Sequence, residues 1–335
     1  MNYYRLLKLN SFIKNQRIKF LGLFLLHKMG RRYLAVHFDP VMACNLRCKM
    51  CYFTDAEYVK KLKGIFKKEE LPTLSDAILK RAIKLQVGCG TEPTLYKDLT
   101  AVFKTGKDAG VPHISMTTNA NLIEEDLLVD WIENGLTEIT VSLHGVHKET
   151  YEEMMGRGDY NKFMNAILTI QKLKVKYPHL QLRINYTFNE DNFDELNDFW
   201  KVFNNIDIDT LQVRPIIKIG DTVYNNFSLD KILTKYENTC NHLTTKAKEK
   251  GTAILIPTLT QLSSDRKSEQ STIREYTYCY ISPNYFWRPD MDFRKETFDQ
   301  FAKRTGWAKE IWSNIFASKK KLSTLKNEAL NYEIS

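Results

Sequence analysis

The feature that most constrains this chain is the repeated alternation of short, β-branched apolar runs with segments whose apolar residues recur at helical spacing. Such alternation is expected when crossover helices connect parallel strands. Six strands are predicted, at Tyr33 to Phe38, Leu85 to Val87, His113 to Thr117, Glu138 to Leu143, Gln181 to Phe188 and Thr210 to Ile216, with a seventh at Thr252 to Ile256. Helices are predicted over 75–84, 99–109, 124–134, 161–176, 192–204 and 228–250. In the third of these, Leu127, Leu128, Trp131 and Ile132 fall on one face and Gly135 supplies the stop. A length of 335 residues suits one α/β barrel with terminal additions, and 43% hydrophobic with 27% charged residues excludes fibrous and disordered classes.

The six cysteines are Cys44, Cys48, Cys51, Cys89, Cys240 and Cys279, and the first three fall within eight residues. That clustering argues for metal binding rather than disulfides, and for a reduced, cytoplasmic setting. The first predicted strand runs directly into Cys44-Asn-Leu-Arg-Cys48-Lys-Met-Cys51, placing the loop at the carboxyl end of a parallel strand, where α/β proteins concentrate their chemistry. Thiolates are the usual ligands of iron–sulfur clusters. Three thiolates satisfy three irons of a cubane and leave the fourth open to a small molecule. A structural zinc site is the alternative, although zinc sites more often draw on paired C-x-x-C ligands.

The cysteine spacing resembles the C-x-x-x-C-x-hydrophobic-C signature of the radical S-adenosylmethionine (radical SAM) superfamily, with Met50 in the hydrophobic position. Later segments carry the same resemblance. Gly88-Cys-Gly-Thr-Glu-Pro93 is similar to the family's Gly-Gly-Glu segment, with Thr91 replacing the second glycine. Thr117-Thr-Asn-Ala120 is similar to Thr-Asn-Gly, and Val141-Ser-Leu-His-Gly145 to Val-Ser-Leu-Asp-Gly. The resemblance covers about residues 33–220.

It implies a partial (β/α)6 TIM-like barrel in which Cys44, Cys48 and Cys51 bind a [4Fe–4S] cluster. It further implies S-adenosylmethionine contacts from Met50, Gly90, Thr91, Glu92, Thr118, Asn119, Ser142 and Arg157. The implied reaction is reductive cleavage of S-adenosylmethionine to a 5′-deoxyadenosyl radical that takes hydrogen from a peptide or small metabolite, fed by an external low-potential electron donor. Glycines let a backbone approach a ligand closely, Glu92 offers an acceptor for an ammonium, and Arg157 offers a partner for a carboxylate. His144 stands where the family has aspartate; Arg183, Asn185 and Arg214 are further candidates.

Outside this core, residues 1–32 form a basic extension: Arg5, Lys8, Lys14, Arg17, Lys19, Lys28, Arg31 and Arg32 all precede the first acidic residue, Asp39. Interleaved apolar residues predict helices that either cap the barrel or rest on the inner, anionic face of a membrane. The apolar run from Ile18 to Leu26 is too short to span a bilayer, and no signal peptide is read. The core is placed at 33–260 and a C-terminal appendage at 261–335, beginning in the polar stretch Gln261 to Gln270 and containing an aromatic cluster from Tyr276 to Trp287. Only Cys240 and Cys279 follow the core motifs, so no auxiliary cluster is expected. The other function classes to weigh are a non-catalytic iron–sulfur or zinc protein and a membrane-surface binding module; no specific nucleic-acid module is recognised.

Overall fold

The computed structural model describes residues 12–13, 15–217, 220–259, 262, 273–318 and 321–322. Its strands are β1 (Leu34–Phe38), β2 (Arg47–Cys48), β3 (Ala82–Val87), β4 (Ile114–Thr118), β5 (Glu138–Leu143), β6 (Met155–Gly156), β7 (Gln181–Phe188), β8 (Thr210–Pro215), β9 (Ala253–Leu255), β10 (Tyr278–Ser282) and β11 (Tyr285–Phe286). The main sheet runs β11-β10-β1-β3-β4-β5-β7-β8-β9, and every neighbouring pair is parallel except β10 with β11. β2 and β6 make a separate antiparallel pair that ties the cysteine loop to the segment after β5.

The predicted strands are present, and the central ones carry apolar residues on the face turned to the helices. Ile139, Val141 and Leu143 of β5 and Ile184, Tyr186 and Phe188 of β7 are wholly buried there. The opposite face is polar. Since side chains alternate along a strand, Thr140 and Ser142 share a face, and register sets them beside Arg183 and Asn185 of β7, with Gln212 and Arg214 of β8 next in line. This polar inner face funnels upward into the site.

Two predicted helices differ. The segment predicted as a helix over 75–84 is helical only to Ala77 (Leu71–Ala77), turns through Leu79–Arg81, and continues as β3. Ile83, Leu85 and Val87 alternate with Lys84 and Gln86, so a period of two overrides the helical one. The stretch predicted over 192–204 is a 3₁₀ segment, Phe193–Asp198, followed by the short helix Phe199–Val202.

The C-terminal region is more than an appendage to the sheet, because β10 pairs in parallel with β1. Tyr278 and Cys279 therefore stand beside Ala35 and Val36, and β-branched and aromatic residues in this stretch complete an edge the core would otherwise expose. The aromatic cluster is partly core: Tyr276 meets Phe20 and Trp307 at ring-centroid distances of 5.7 and 5.1 Å. The polar stretch taken as the domain boundary lies outside the described residues except for Leu262, as do the lysine-rich tail beyond residue 322 and residues 1–11 of the basic extension.

The described part of that extension is the helix Gln16–Lys28, capped by the Asn15 side chain. Phe20 and Leu23 face inward, and the Phe24 ring packs at a tilt against Trp312 of the helix Trp307–Ile315, with centroids 4.8 Å apart. Arg32 then anchors the chain beneath the sheet by donating to the carbonyls of Leu79, Ala82 and Ala109. The helix caps the barrel. Its outer face carries Ile18, Leu21 and Leu25, each at least 42% exposed. No helix among the described residues is long and apolar enough to cross a membrane.

Candidate active site

At the carboxyl ends of the central strands lies one cavity of about 900 Å³. Cys44, Cys48 and Cys51 all line it, beside Cys89, Glu92 and the ends of β4, β5, β7 and β8. The loop that presents the three thiols is shaped locally. Cys51 N–H donates to the Cys48 carbonyl at 2.9 Å, and Arg47 donates to the carbonyls of Cys44 and Leu46 at 2.9 and 2.8 Å. Arg47 thus closes the turn while putting a positive charge beside the sulfurs.

Burial dominates the electrostatics here. It pushes the Cys44 thiol up to about 12, with the negative charge of Glu92 adding to the effect. Cys48 is pushed well above its usual range by burial and by its neighbours Cys51 and Cys44; burial also raises Cys51. Thiols in such surroundings gain a proton unless a cationic partner compensates the thiolates, which a bound metal centre does. Among the described residues no three His, Cys, Asp or Glu side chains gather around one metal-ion position. Cys44, Cys48 and Cys51 line one cavity together, as the thiolate ligands of separate irons in a cluster would.

Glu92 is the hub of the opposite wall. Its side chain is almost wholly enclosed. Its Oε1 accepts from Thr94 N–H, the Thr94 hydroxyl and the Thr118 hydroxyl, while Oε2 accepts the Asn119 N–H at 2.8 Å. Each carboxylate oxygen offers about two acceptor positions, and Oε2 accepts one described hydrogen bond, so Oε2 retains one for a ligand cation. Burial raises the Glu92 carboxyl, with its hydrogen bonds opposing. Asn119 in turn donates to Asn45 Oδ1 at 2.8 Å, linking this wall to the cysteine loop. Ala120, where the family has glycine, adopts the left-handed φ of 64° that glycine tolerates best.

The structure brings Met50, Gly90, Thr91, Glu92, Thr118, Asn119 and Ser142 to the same cavity as the three cysteines. It does not bring Arg157, which is exposed and lies outside the lining. The reason is local: β6 pairs with the cysteine loop, and the chain then turns away at Arg157 with a left-handed φ of 70°. Arg214 lines the cavity, with its Nε–H donating to Thr187 Oγ1; Arg183 and Asn185 lie lower on the inner face. His144 also lines the cavity, and burial followed by the Arg214 charge lowers it to about 4, so its ring is neutral near neutral pH.

Sequence reasoning missed Asp39, Tyr52 and Tyr280. Asp39 is wholly buried just after β1 and accepts hydrogen bonds from the glycine-rich loop and from Tyr280. Tyr52 donates to the Gly90 carbonyl. One signal was available for Asp39: a carboxylate directly at the strand end that opens the cysteine loop.

Comparison with known proteins bears on the family and the fold. Residues 40–203 match the family model described as the radical SAM superfamily. The chain is similar to the GTP 3′,8-cyclase of Clostridium botulinum (strain Okra / Type B1), 26% identical over 218 residues that cover 64% of this chain and 67% of that protein. It is also similar to the probable GTP 3′,8-cyclase of Sulfurisphaera tokodaii, 24% identical over 58% of this chain and 60% of that protein. The match therefore spans only about two thirds of these relatives' length.

Among solved structures, Streptococcus suis SuiB bound to S-adenosylmethionine superimposes with a TM-score of 0.61 at 16% identity, covering 90% of this chain and 73% of that one. A histidine-tagged anSMEcpe with bound AdoMet gives 0.58 at 18% identity, covering 86% and 85%. At such identities the likeness establishes the fold, a TIM-barrel-like α/β architecture.

Proposed function

The chain belongs to the radical SAM superfamily, and we propose that Cys44, Cys48 and Cys51 hold a [4Fe–4S] cluster beside which S-adenosylmethionine is bound and reductively cleaved. The observation that carries this reading is the single cavity lined by all three thiols and by Glu92, Thr118, Asn119 and Ser142. Such a cluster would supply one electron to the cofactor's C–S bond, which would break into methionine and a 5′-deoxyadenosyl radical able to take hydrogen from substrate.

The chain's own residues bind and orient. Glu92 Oε2 accepts the cofactor ammonium, with the carboxylate locked in place by Thr94, Thr118 and Asn119. Gly90 and Thr91 bring backbone close to it, Ser142 takes the ribose or carboxylate, and the backbone at Met50 meets the adenine. Arg157 is left out of the set for the reason given above. The single electron that such a cleavage consumes would come from an external low-potential donor.

A substrate of small-molecule or peptide class fits a cavity of this size. One relative's name specifies GTP, and a SuiB structure holds the precursor peptide SuiA; both belong to those proteins. A reducing, cytoplasmic compartment suits six free cysteines. Peripheral contact with an anionic leaflet is supported by the outer face of helix Gln16–Lys28, where Ile18, Leu21 and Leu25 are flanked by Arg17, Lys19 and Lys28, with exposed Trp312 alongside.

The test is anaerobic reconstitution with iron and sulfide, followed by an assay for 5′-deoxyadenosine under a strong reductant. The expected result is an oxygen-sensitive cluster and cofactor cleavage. Protein that takes up zinc and cleaves nothing overturns the reading.

A further inference from the structure

We propose that Asp39 and Tyr280 form a positioning pair that sets the glycine-rich loop for S-adenosylmethionine, making the C-terminal strand β10 part of the cofactor site. This rests on the cofactor reading above and extends it to residues that touch no ligand.

The geometry is specific. Asp39 Oδ1 accepts the Cys89 N–H at 2.6 Å and the Thr91 hydroxyl at 3.0 Å. Its Oδ2 accepts the Gly90 N–H at 3.1 Å and the Tyr280 hydroxyl at 2.8 Å. Asp39 N–H donates to the Ile281 carbonyl, so the residue is bound to β10 through backbone and side chain together. From the other side Tyr52, one residue beyond Cys51, donates to the Gly90 carbonyl. The loop has little room to adjust: a Cβ on Gly88, whose φ is +78°, would lie 2.4 Å from the Thr117 carbonyl oxygen.

Chemistry explains why an acid occupies this position. Four donors converge on one side chain, and a carboxylate accepts from all of them, whereas an amide would turn its own N–H₂ toward some. Burial raises the Asp39 carboxyl and the four hydrogen bonds hold it down. An acid buried at that cost gives the core no packing that an apolar residue would not; what it does is fix the loop backbone. The pair also accounts for Thr91, where the family has glycine: its hydroxyl is the fourth donor to Asp39.

Asp39→Asn and Tyr280→Phe in the full-length protein test the proposal, Tyr280→Phe keeping the ring and deleting only the donor. The readout without cofactor is hydrogen exchange at the Cys89 and Gly90 amides, expected to quicken in both variants. The readout with cofactor is the dissociation constant for S-adenosylmethionine. It is expected to rise about 10- to 100-fold for Asp39→Asn, as when supporting groups around a site are removed, and about 2- to 10-fold for Tyr280→Phe, the scale of one hydrogen bond. Cluster content is expected to stay at the wild-type level, with KM for the cofactor rising more than kcat falls. Faster exchange with unchanged cofactor affinity overturns the proposal by reducing the pair to a structural role; unchanged exchange overturns it outright. If wild-type protein protects these amides yet binds no S-adenosylmethionine, the cofactor reading fails while the strut stands, so the two failures are told apart.

Discussion

The cavity mouth and the helical cap bury opposite things. At the mouth and just beneath it, polar and ionisable groups are enclosed: Glu92 and, under the glycine-rich loop, Asp39 are almost wholly buried, and all three loop thiols are held above their usual range by burial. On the cap, large apolar side chains are left outside, with Leu25 50% and Trp312 45% exposed. Stability alone favours neither arrangement. In the proposed reading a partner compensates each: a cationic centre and an ammonium at the cavity, an apolar and anionic surface at the cap.

Changes at the mouth should cost function more than folding. Cys48→Ala is expected to abolish 5′-deoxyadenosine formation, a loss of at least about 10³-fold, because removal of one ligand disrupts cluster assembly. Its thermal midpoint should fall little. Cleavage at the wild-type rate would break the comparison at its strongest point.

The two faces of helix Gln16–Lys28 allow the same contrast within one element. Phe20→Ala empties a fully buried site and should cost about 3–5 kcal/mol in denaturant unfolding. The double change Leu21→Glu with Leu25→Glu should shift stability by no more than about 1 kcal/mol. It should weaken sedimentation with phosphatidylserine vesicles by about tenfold or more. Equal vesicle binding by the double variant and wild type would remove the membrane reading.

Buried histidines give the next effect. His113 and His144 are both lowered to about 4, first by burial. As pH falls from about 6.5 toward 4, the unfolded chain takes up protons on these rings and the folded chain does not, so they remove stability on acidification. Each contributes at most about 3 kcal/mol. Asp39 and Glu92, whose carboxyls are raised, act in the opposite sense over the carboxylate range, gaining protons in the folded state first. The double variant His113→Gln with His144→Gln should therefore flatten the acid-side decline in urea midpoints between pH 6.5 and 4. An unchanged slope would show that these rings titrate freely.

The smallest effect is expected at Ala120. Glycine there relieves about 1 kcal/mol of left-handed strain but gives the unfolded chain more freedom, so the net change should stay under about 1 kcal/mol. A loss above about 2 kcal/mol would mean that the buried methyl packs more tightly than its strain costs.

Much of the cavity lining was legible in the sequence because its residues lie on contiguous segments. Ten of the eleven residues assigned from the cysteine, glycine-rich and strand-end motifs line one cavity. Arg157 lies outside that lining because a motif fixes sequence position, whereas the β6 pairing and the left-handed turn decide where the chain goes. Asp39 and Tyr280 were illegible as a pair, being 241 residues apart and joined only when β10 lies down beside β1.

Periodicity and the cysteine spacing thus determined the parallel α/β core and the place where its chemistry gathers, since both are local properties written into neighbouring residues. Tertiary structure alone decided the closing edge strand, the face that helix Gln16–Lys28 turns outward and the strut beneath the glycine-rich loop. These depend on contacts between distant segments, and such contacts exist only after the sheet has brought the segments together.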